Sequence, residues 1–118
     1  MRIPEKQLYH LPDEVSYDHG TFLDPLGNAI HLINRGGVKL GDVVVIIGAG
    51  TIGLLAIQTA KLAGAVKVIA VDLSDYKLEI AKDVGADICL KSDNPEFMDK
   101  IKAETHGAGP DVVVEAVG

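Results

Sequence analysis

Three glycines with the spacing Gly-x-Gly-x-x-Gly lie in the segment Gly48-Ala49-Gly50-Thr51-Ile52-Gly53. The segment follows the apolar run Val43–Ile47, which predicts a buried strand, and it opens a predicted helix. In that context Gly48 permits a tight turn, Gly50 lets the backbone approach a diphosphate, and Gly53 lets the helix pack closely on the strand. The backbone N–H groups at the start of the helix are the expected donors to this anion: Thr51, Ile52 and Gly53. A glycine turn selected only for close packing is the alternative.

An acidic residue stands at the end of the next predicted strand. Asp72 lies about 20 residues beyond Gly53, the spacing expected for a carboxylate that accepts hydrogen bonds from the ribose of a dinucleotide. Its charge would repel a 2′-phosphate, and Leu73 supplies no arginine to receive one, so the pattern favours NAD over NADP. Lys77 is either a solvent-facing lysine or a further ribose contact, and both interpretations stay open. In the alternative interpretation Asp72 only caps the next helix, although Ser74 is better placed to do so.

The composition of the 118 residues is that of an ordinary globular chain, with 47% hydrophobic and 24% charged residues. A formal net charge of −6 is the wrong sign for neutralising nucleic-acid phosphates, so nucleic acid is not an expected partner. The single cysteine, Cys89, excludes an internal disulfide and favours a reducing, cytoplasmic compartment. The uncharged run Val43–Ala60 reaches the lower length limit of a membrane-spanning helix, but glycines interrupt its middle, and no membrane segment is predicted.

From Gly41 onward the sequence repeats a β-branched run, a glycine or polar turn and an amphipathic stretch, which is typical of βαβ units. The expected strands are Val43–Ile47, Lys67–Val71, Asp87–Leu90 and Asp111–Glu115. The expected helices are Thr51–Ala63, Asp75–Val84 and Glu96–Thr105. Each helix is followed by a glycine suited to a left-handed C-terminal cap: Gly64, Gly85 and Gly107. The predicted fold class is α/β, a Rossmann-type parallel sheet of four strands in the order 3-2-1-4 that forms part of a doubly wound domain.

The first part of the chain has a different pattern. Residues 20–34 are helical in character, with a break predicted at Asp24–Pro25, where Asp24 would cap a second helix that begins at Pro25. Residues 37–118 are expected to be the N-terminal part of the dinucleotide-binding domain. Because no helix follows the last predicted strand, we expect the chain to belong to a longer protein.

Several motifs occur in combination along the chain: Asp24-Pro25-Leu26-Gly27-Asn28-Ala29-Ile30-His31, residues 41–50, Ile52-Gly53-Leu54, Val71-Asp72 and Gly85-Ala86-Asp87. The combination resembles the zinc-dependent medium-chain alcohol and polyol dehydrogenases. Residues 24–29 are most similar to that segment of L-threonine 3-dehydrogenases, followed by sorbitol and butanediol dehydrogenases. The resemblance implies NAD-dependent oxidation of a secondary alcohol in a longer, homo-oligomeric protein, with zinc polarising the substrate oxygen. The family resemblance carried by residues 24–31 and 41–54 implies that residues 1–36 are the tail and connecting helices of a catalytic domain. It also implies cofactor contacts for particular side chains: Ile52 near the diphosphate or nicotinamide, Asp72 and Lys77 at the ribose, and Val117 at the adenine.

The resemblance also makes Asp24 a candidate ligand of a catalytic zinc ion. The partner ligands expected in the family, a cysteine and a His-Glu pair of the N-terminal catalytic domain, have no counterpart in this sequence. Because a catalytic zinc site takes three protein ligands, one carboxylate cannot hold the metal, and the helix-cap role of Asp24 is favoured for this chain alone. We therefore expect zinc binding and turnover of a small-molecule substrate only in the longer protein, and an inactive isolated chain.

Two other classes of protein share these features. A non-enzymatic NAD-sensing module also has the glycine motif and the acid, but it would be expected to begin close to the first strand, which residues 20–37 argue against. A methyltransferase likewise uses a glycine turn and an acid after the second strand. The four histidines, His10, His19, His31 and His106, have no spacing typical of metal ligands or of a nucleophile with its base, so no catalytic residue is predicted.

Overall fold

The computed structural model describes residues 2–117. The strands are Val43–Ile47 (β1), Lys67–Asp72 (β2), Ile88–Lys91 (β3) and Val112–Glu115 (β4). The helices are Tyr17–Gly20 (α1), Leu23–Gly36 (α2), Thr51–Leu62 (α3), Asp75–Asp83 (α4) and Phe97–Glu104 (α5), preceded by a 3-10 turn at Glu5–Gln7. The strands pair in parallel in the order β3-β2-β1-β4, so the predicted α/β fold of Rossmann type is confirmed. Every boundary after residue 41 lies within one residue of its predicted position.

The sheet has a hydrophobic layer on each face. On one face, Ile46 of β1 belongs to a buried cluster with Ile57 of α3 and with apolar residues of α2 and α4. On the other face, Val45 and Ile69 pack in a cluster with Ile101 of α5. Because β1 is covered on both faces, its residues are apolar without alternation. The loop that leaves the carboxyl end of β1 therefore starts from a strand that is packed on both faces.

Two aspartates extend the parallel ladder next to the central strands. Asp87 donates its backbone N–H to the Val68 carbonyl at 2.9 Å, and its Oδ2 accepts from the Val68 N–H at 2.7 Å. Asp111 forms the same pair of bonds with Val43, at 2.9 and 2.8 Å. Each carboxylate thus accepts a hydrogen bond from an amide near the start of a central strand, so that this amide is paired with a side chain instead of with backbone.

The helices end in two different ways. Gly64 and Gly85 follow α3 and α4 with positive φ angles of 104° and 113°, as predicted. At the end of α5, however, His106 takes the left-handed conformation with φ of 52°, and the Gly107 N–H donates to the Lys102 carbonyl at 2.7 Å. Gly107 also has a positive φ of 83°, as predicted, but the residue that directly follows the C-cap Thr105 is His106 rather than Gly107. The helix ends one residue earlier than expected, so His106 takes the position that usually favours glycine.

The break between α1 and α2 also differs from the prediction. α2 begins at Leu23, so the chain turns before Asp24–Pro25 rather than there. Phe22 already has αR backbone angles, and its carbonyl accepts from the Leu26 N–H at 2.9 Å. The prediction that Asp24 caps the helix is therefore wrong, because Asp24 lies within the first turn. Pro25 is tolerated beside it since N–H groups of the first turn have no acceptor inside the helix.

The uncharged run Val43–Ala60 is divided between β1, the glycine-containing loop and α3. Its apolar side chains are buried against the sheet rather than arranged around one long helix. Across residues 2–117, no helix combines the length and the apolar character that crossing a bilayer requires.

Candidate functional site

The segment 48–53 is hereafter called the glycine turn. Its three glycines have different structural surroundings. Gly48 has φ of 98°, and a Cβ built on it would lie 3.0 Å from the Ala116 carbonyl group and from the Val117 side chain. A Cβ on Gly53 would overlap the carbonyl oxygen of Gly48, so α3 packs on the end of β1 only because this residue has no side chain. Gly50, in contrast, has φ of −78° and no atom within 4 Å of a Cβ position. Its missing side chain leaves open space, as a turn that binds a ligand through its backbone requires.

The N-terminus of α3 follows this open space. The Leu54 N–H donates to the Gly50 carbonyl at 2.8 Å, so the amides before Leu54 have no acceptor within the helix. No side chain caps this end, and the first turn contains no acidic residue. Thr51 is exposed, Ile52 is half-buried and Gly53 is buried. The end of the helix is thus suited to an anion.

Asp72 joins the glycine turn to the end of β2. Its Oδ2 accepts from the Ala49 N–H at 2.8 Å, and its Oδ1 accepts from the Ser74 N–H at 2.9 Å. The alternative in which Asp72 itself caps α4 is not observed, since Ser74 accepts from the Lys77 N–H and is the N-cap. Sequence reasoning missed the bond to Ala49. The parallel register of β1 with β2, which pairs Ile47 with Val71, is the signal that places Asp72 beside the turn.

The carboxylate of Asp72 is held in its charged form. Its side chain is only 11% exposed, and this burial by itself would raise the pKa of the carboxyl. The N–H groups of Ala49 and Ser74 and the nearby Lys77 ammonium outweigh the burial and lower the pKa below its ordinary value. Lys77 Nζ lies 3.8 Å from Oδ2, but its side chain is 48% exposed, so water screens much of this attraction.

A cleft of about 440 Å³ opens at the carboxyl ends of β1, β2 and β3. Four of the residues that line it were predicted to contact the cofactor: Gly48, Asp72, Lys77 and Val117. The other five were not predicted as contacts: Ile47, Val71, Leu73, Ser74 and Ser92. The other predicted residues of the site lie on the adjoining turn and helix: Gly50, Thr51, Ile52 and Gly53. Ser92 was detectable in principle, because it directly follows β3 and the carboxyl ends of neighbouring parallel strands meet at one edge of a sheet.

The described residues do not form a metal site. Asp24 is exposed on α2, where its Oδ2 accepts from the Asn28 side-chain amide at 3.4 Å. Within the range 2–117, no group of three or more His, Cys, Asp or Glu side chains is arranged to hold a metal ion. A lone carboxylate does not meet the ligand requirement of a catalytic zinc ion, so zinc does not fit this part of the chain by itself.

The surroundings of the single cysteine indicate a packing role rather than a catalytic one. Cys89 on β3 is half-buried, and its Sγ donates to the Leu78 carbonyl at 3.3 Å. Burial raises the pKa of the thiol, although Lys82 partly opposes this effect. The thiol is therefore protonated at neutral pH and is not an activated nucleophile.

Comparison with known proteins agrees with this geometry. Residues 51–118 match the family model described as zinc-binding dehydrogenase. The chain belongs to the zinc-binding dehydrogenase family. The match begins at Thr51, which is the first residue of α3 and directly follows Gly50.

Individual members of the family are clearly similar in sequence. Sorbitol dehydrogenase of Ovis aries is 42% identical over 112 residues, which are 93% of this chain and 32% of that protein. A protein of Aspergillus fumigatus named "Probable D-xylulose reductase A" is 38% identical over 120 residues, covering 98% of this chain and 34% of its own length. The chain thus spans about a third of the length of these relatives.

Several solved dehydrogenase structures share the fold. An alcohol dehydrogenase from Thermus sp. ATN1 superposes with a TM-score of 0.87 at 37% identity, over 93% of this chain and 32% of that one. A short chain alcohol dehydrogenase from E. coli CFT073, in complex with NADH, gives 0.88 at 28% identity over 98% and 34% of the two chains. A zinc-binding dehydrogenase from Sinorhizobium meliloti, bound to NADP, gives 0.83 at 36% identity over the same shares. One of these solved neighbours thus carries NADH and another carries NADP.

Proposed function

We propose that this chain is the NAD-binding part of a dehydrogenase that oxidises a secondary alcohol. The observation that carries the proposal is the position of a charged carboxylate, Asp72, beside the open amides of the glycine turn at one cleft. This arrangement offers donors to a diphosphate and acceptors to sugar hydroxyls within one continuous surface.

The cleft and the adjoining glycine turn would bind different parts of the cofactor. The amides of Thr51 and Ile52 would bind the diphosphate, and the open space at Gly50 would let it approach the backbone. Each oxygen of Asp72 accepts one backbone N–H and retains acceptor capacity for a ribose hydroxyl. Lys77 and Val117, which line the cleft, would contact the ribose and the adenine. When bound, NAD accepts a hydride from the alcohol.

The charge of Asp72 supports NAD rather than NADP. Because solved relatives carry NADH in one case and NADP in another, family membership leaves this choice open. A 2′-phosphate would meet a buried, charged carboxylate, and Lys77, about half exposed, offsets only part of this repulsion. We therefore infer that NADP binds more weakly than NAD.

The substrate we propose is a secondary alcohol of the polyol or L-threonine type. Similarity to sorbitol dehydrogenase supports the polyol side of this proposal, whereas the threonine side rests on residues 24–29 alone. Asp24 is proposed as one zinc ligand of the longer protein. Since the described residues cannot hold zinc, we propose that the 118-residue chain has no turnover. An assay with NAD, zinc salts and a panel of secondary alcohols tests this statement, and measurable reduction of NAD would contradict it.

Calorimetric titration of the chain tests the cofactor assignment. NAD, NADP and S-adenosylmethionine are titrated in turn, and NAD is expected to bind roughly tenfold more tightly than NADP, because one charged contact is worth about that factor. Replacing Asp72 by alanine should bring the two affinities closer together. Absence of NAD binding, or preference for S-adenosylmethionine as in a methyltransferase, would overturn the proposal.

A further inference from the structure

Two consecutive amides of the glycine turn donate hydrogen bonds to β2, one to a backbone acceptor and one to a side-chain acceptor. The Gly48 N–H donates to the Val71 carbonyl at 2.7 Å, which is a backbone bond that any sequence can form. The next amide, that of Ala49, donates to the Asp72 side chain at 2.8 Å, so this bond depends on one particular residue. Ala49 is 1% exposed, and water therefore cannot readily replace the carboxylate as the acceptor.

The two sides of the Ala49 residue are restrained unequally. On one side, the Ala49 side chain belongs to the buried cluster around Ile46, and Gly48 packs closely on Ala116. The Cβ position of Gly50 is surrounded by open space, so packing does not restrain this side of the turn. The hydrogen bond to the charged, largely buried Asp72 carboxylate therefore adds a directional restraint on the Ala49 amide that apolar packing does not supply.

We propose that Asp72 is a positioning residue for the diphosphate as well as a contact of the sugar. By holding the Ala49 amide, its Oδ2 sets the shape of the glycine turn through which the diphosphate is bound. The inference rests on the proposed function, and it adds that one carboxylate couples two parts of the cofactor site. A ligand that has no sugar hydroxyls should then still depend on Asp72.

The test compares two ligands that differ only in the sugar hydroxyls, ADP and 2′,3′-dideoxy-ADP. Both are titrated calorimetrically into the 118-residue chain and into its D72A variant. If Asp72 contacts only the sugar, D72A weakens ADP and leaves dideoxy-ADP unchanged or tighter, because removing a negative charge favours an anion. If Asp72 positions the turn, D72A weakens dideoxy-ADP too, by roughly tenfold, the equivalent of one charged hydrogen bond. The sign of the change therefore decides between the two.

Two further variants keep the result interpretable. D72N retains one amide oxygen for two backbone donors, so its dideoxy-ADP affinity should fall by less than that of D72A, roughly threefold. D75N removes an exposed carboxylate nearby that pairs with Lys91 at 3.1 Å and does not touch the turn. It should bind dideoxy-ADP at least as tightly as the wild type. If D72A does not fold, unchanged or tighter binding of dideoxy-ADP by D72N overturns the proposal.

Amide hydrogen exchange gives a readout that does not depend on ligand. In D72A the Ala49 amide should exchange faster, while the Gly48 amide, bonded to Val71, keeps its protection. Equal protection of Ala49 in both chains would contradict the positioning role. If wild type fails to bind ADP, the proposed function fails. If it binds ADP and D72A affects only ADP, the proposed function stands and the coupling fails.

Discussion

The carbonyl oxygen of Gly48 occupies the space that a side chain on Gly53 would need. This contact places the first turn of α3 directly on the end of β1, next to the glycine turn that adjoins the cleft. Gly50, which lies between the two in sequence, has no such neighbour. The three glycines therefore separate into residues required for the fold and one available to the ligand.

Replacing Gly53 by alanine should lower the free energy of unfolding by about 1–3 kcal/mol, because the added methyl group forces α3 away from β1. The matched variant is G50A, whose backbone angles suit alanine, and whose stability should stay the same or rise by up to about 1 kcal/mol. G50A should nevertheless bind ADP roughly tenfold more weakly, since the methyl group fills the space left for the diphosphate. Urea unfolding and calorimetry measure the two effects, and equal loss of stability in both variants would contradict this division of roles.

The stability of the chain should depend on pH through Asp72. Its pKa is lower in the folded chain than the ordinary value of 3.8, so the charged carboxylate stabilises the fold above that pH. The stabilisation is lost as the pH falls through the folded pKa. The difference in unfolding free energy between wild type and D72N should therefore be constant near neutral pH and shrink below 3.8. Urea unfolding from pH 7 to about pH 2.5 measures it, and a difference that does not change in acid would refute the assignment.

Asp87 should matter more than the lysine that pairs with it. Its Oδ2 accepts from the buried Val68 amide, so D87A leaves a donor unpaired and should cost about 1–3 kcal/mol. Lys61 Nζ contacts the same carboxylate at 3.0 Å, but both side chains are more than a third exposed, so K61M should cost at most about 1 kcal/mol. Thermal unfolding of the two variants compares the effects. A larger loss for K61M would show that the ion pair, not the ladder bond, is the stabilising contact.

His106 should be a site where glycine improves stability. Its φ of 52° costs a residue with a side chain about 1 kcal/mol, which H106G should recover. The control is the same substitution at the exposed His31 within α2, where glycine should instead lower stability by about 1 kcal/mol. Opposite shifts in the midpoint of thermal unfolding are expected, and a loss of stability in H106G would mean that the imidazole makes a contact worth more than the strain.

The sequence alone was sufficient for the architecture. Apolar runs such as Val43–Ile47 and the glycines that end α3 and α4 are local signals, and they predicted the strand order and the element boundaries after residue 41. The glycine motif and Asp72 were likewise visible as a cofactor pattern. Local signals succeed here because β1, β2 and β3 are neighbours joined by short βαβ connections of one handedness, while β4 returns to the free side of β1 as the Rossmann pattern requires.

Three features needed the tertiary structure. The break before α2 and the left-handed His106 depend on where the backbone first satisfies its hydrogen bonds, which several residues near each end could do. The bond from Ala49 to Asp72 joins residues far apart in the chain and exists only because β1 and β2 pair in one register. Sequence motifs determined which groups this protein carries, whereas strand register decided which of them meet, since a side chain bonds to what the fold brings within reach.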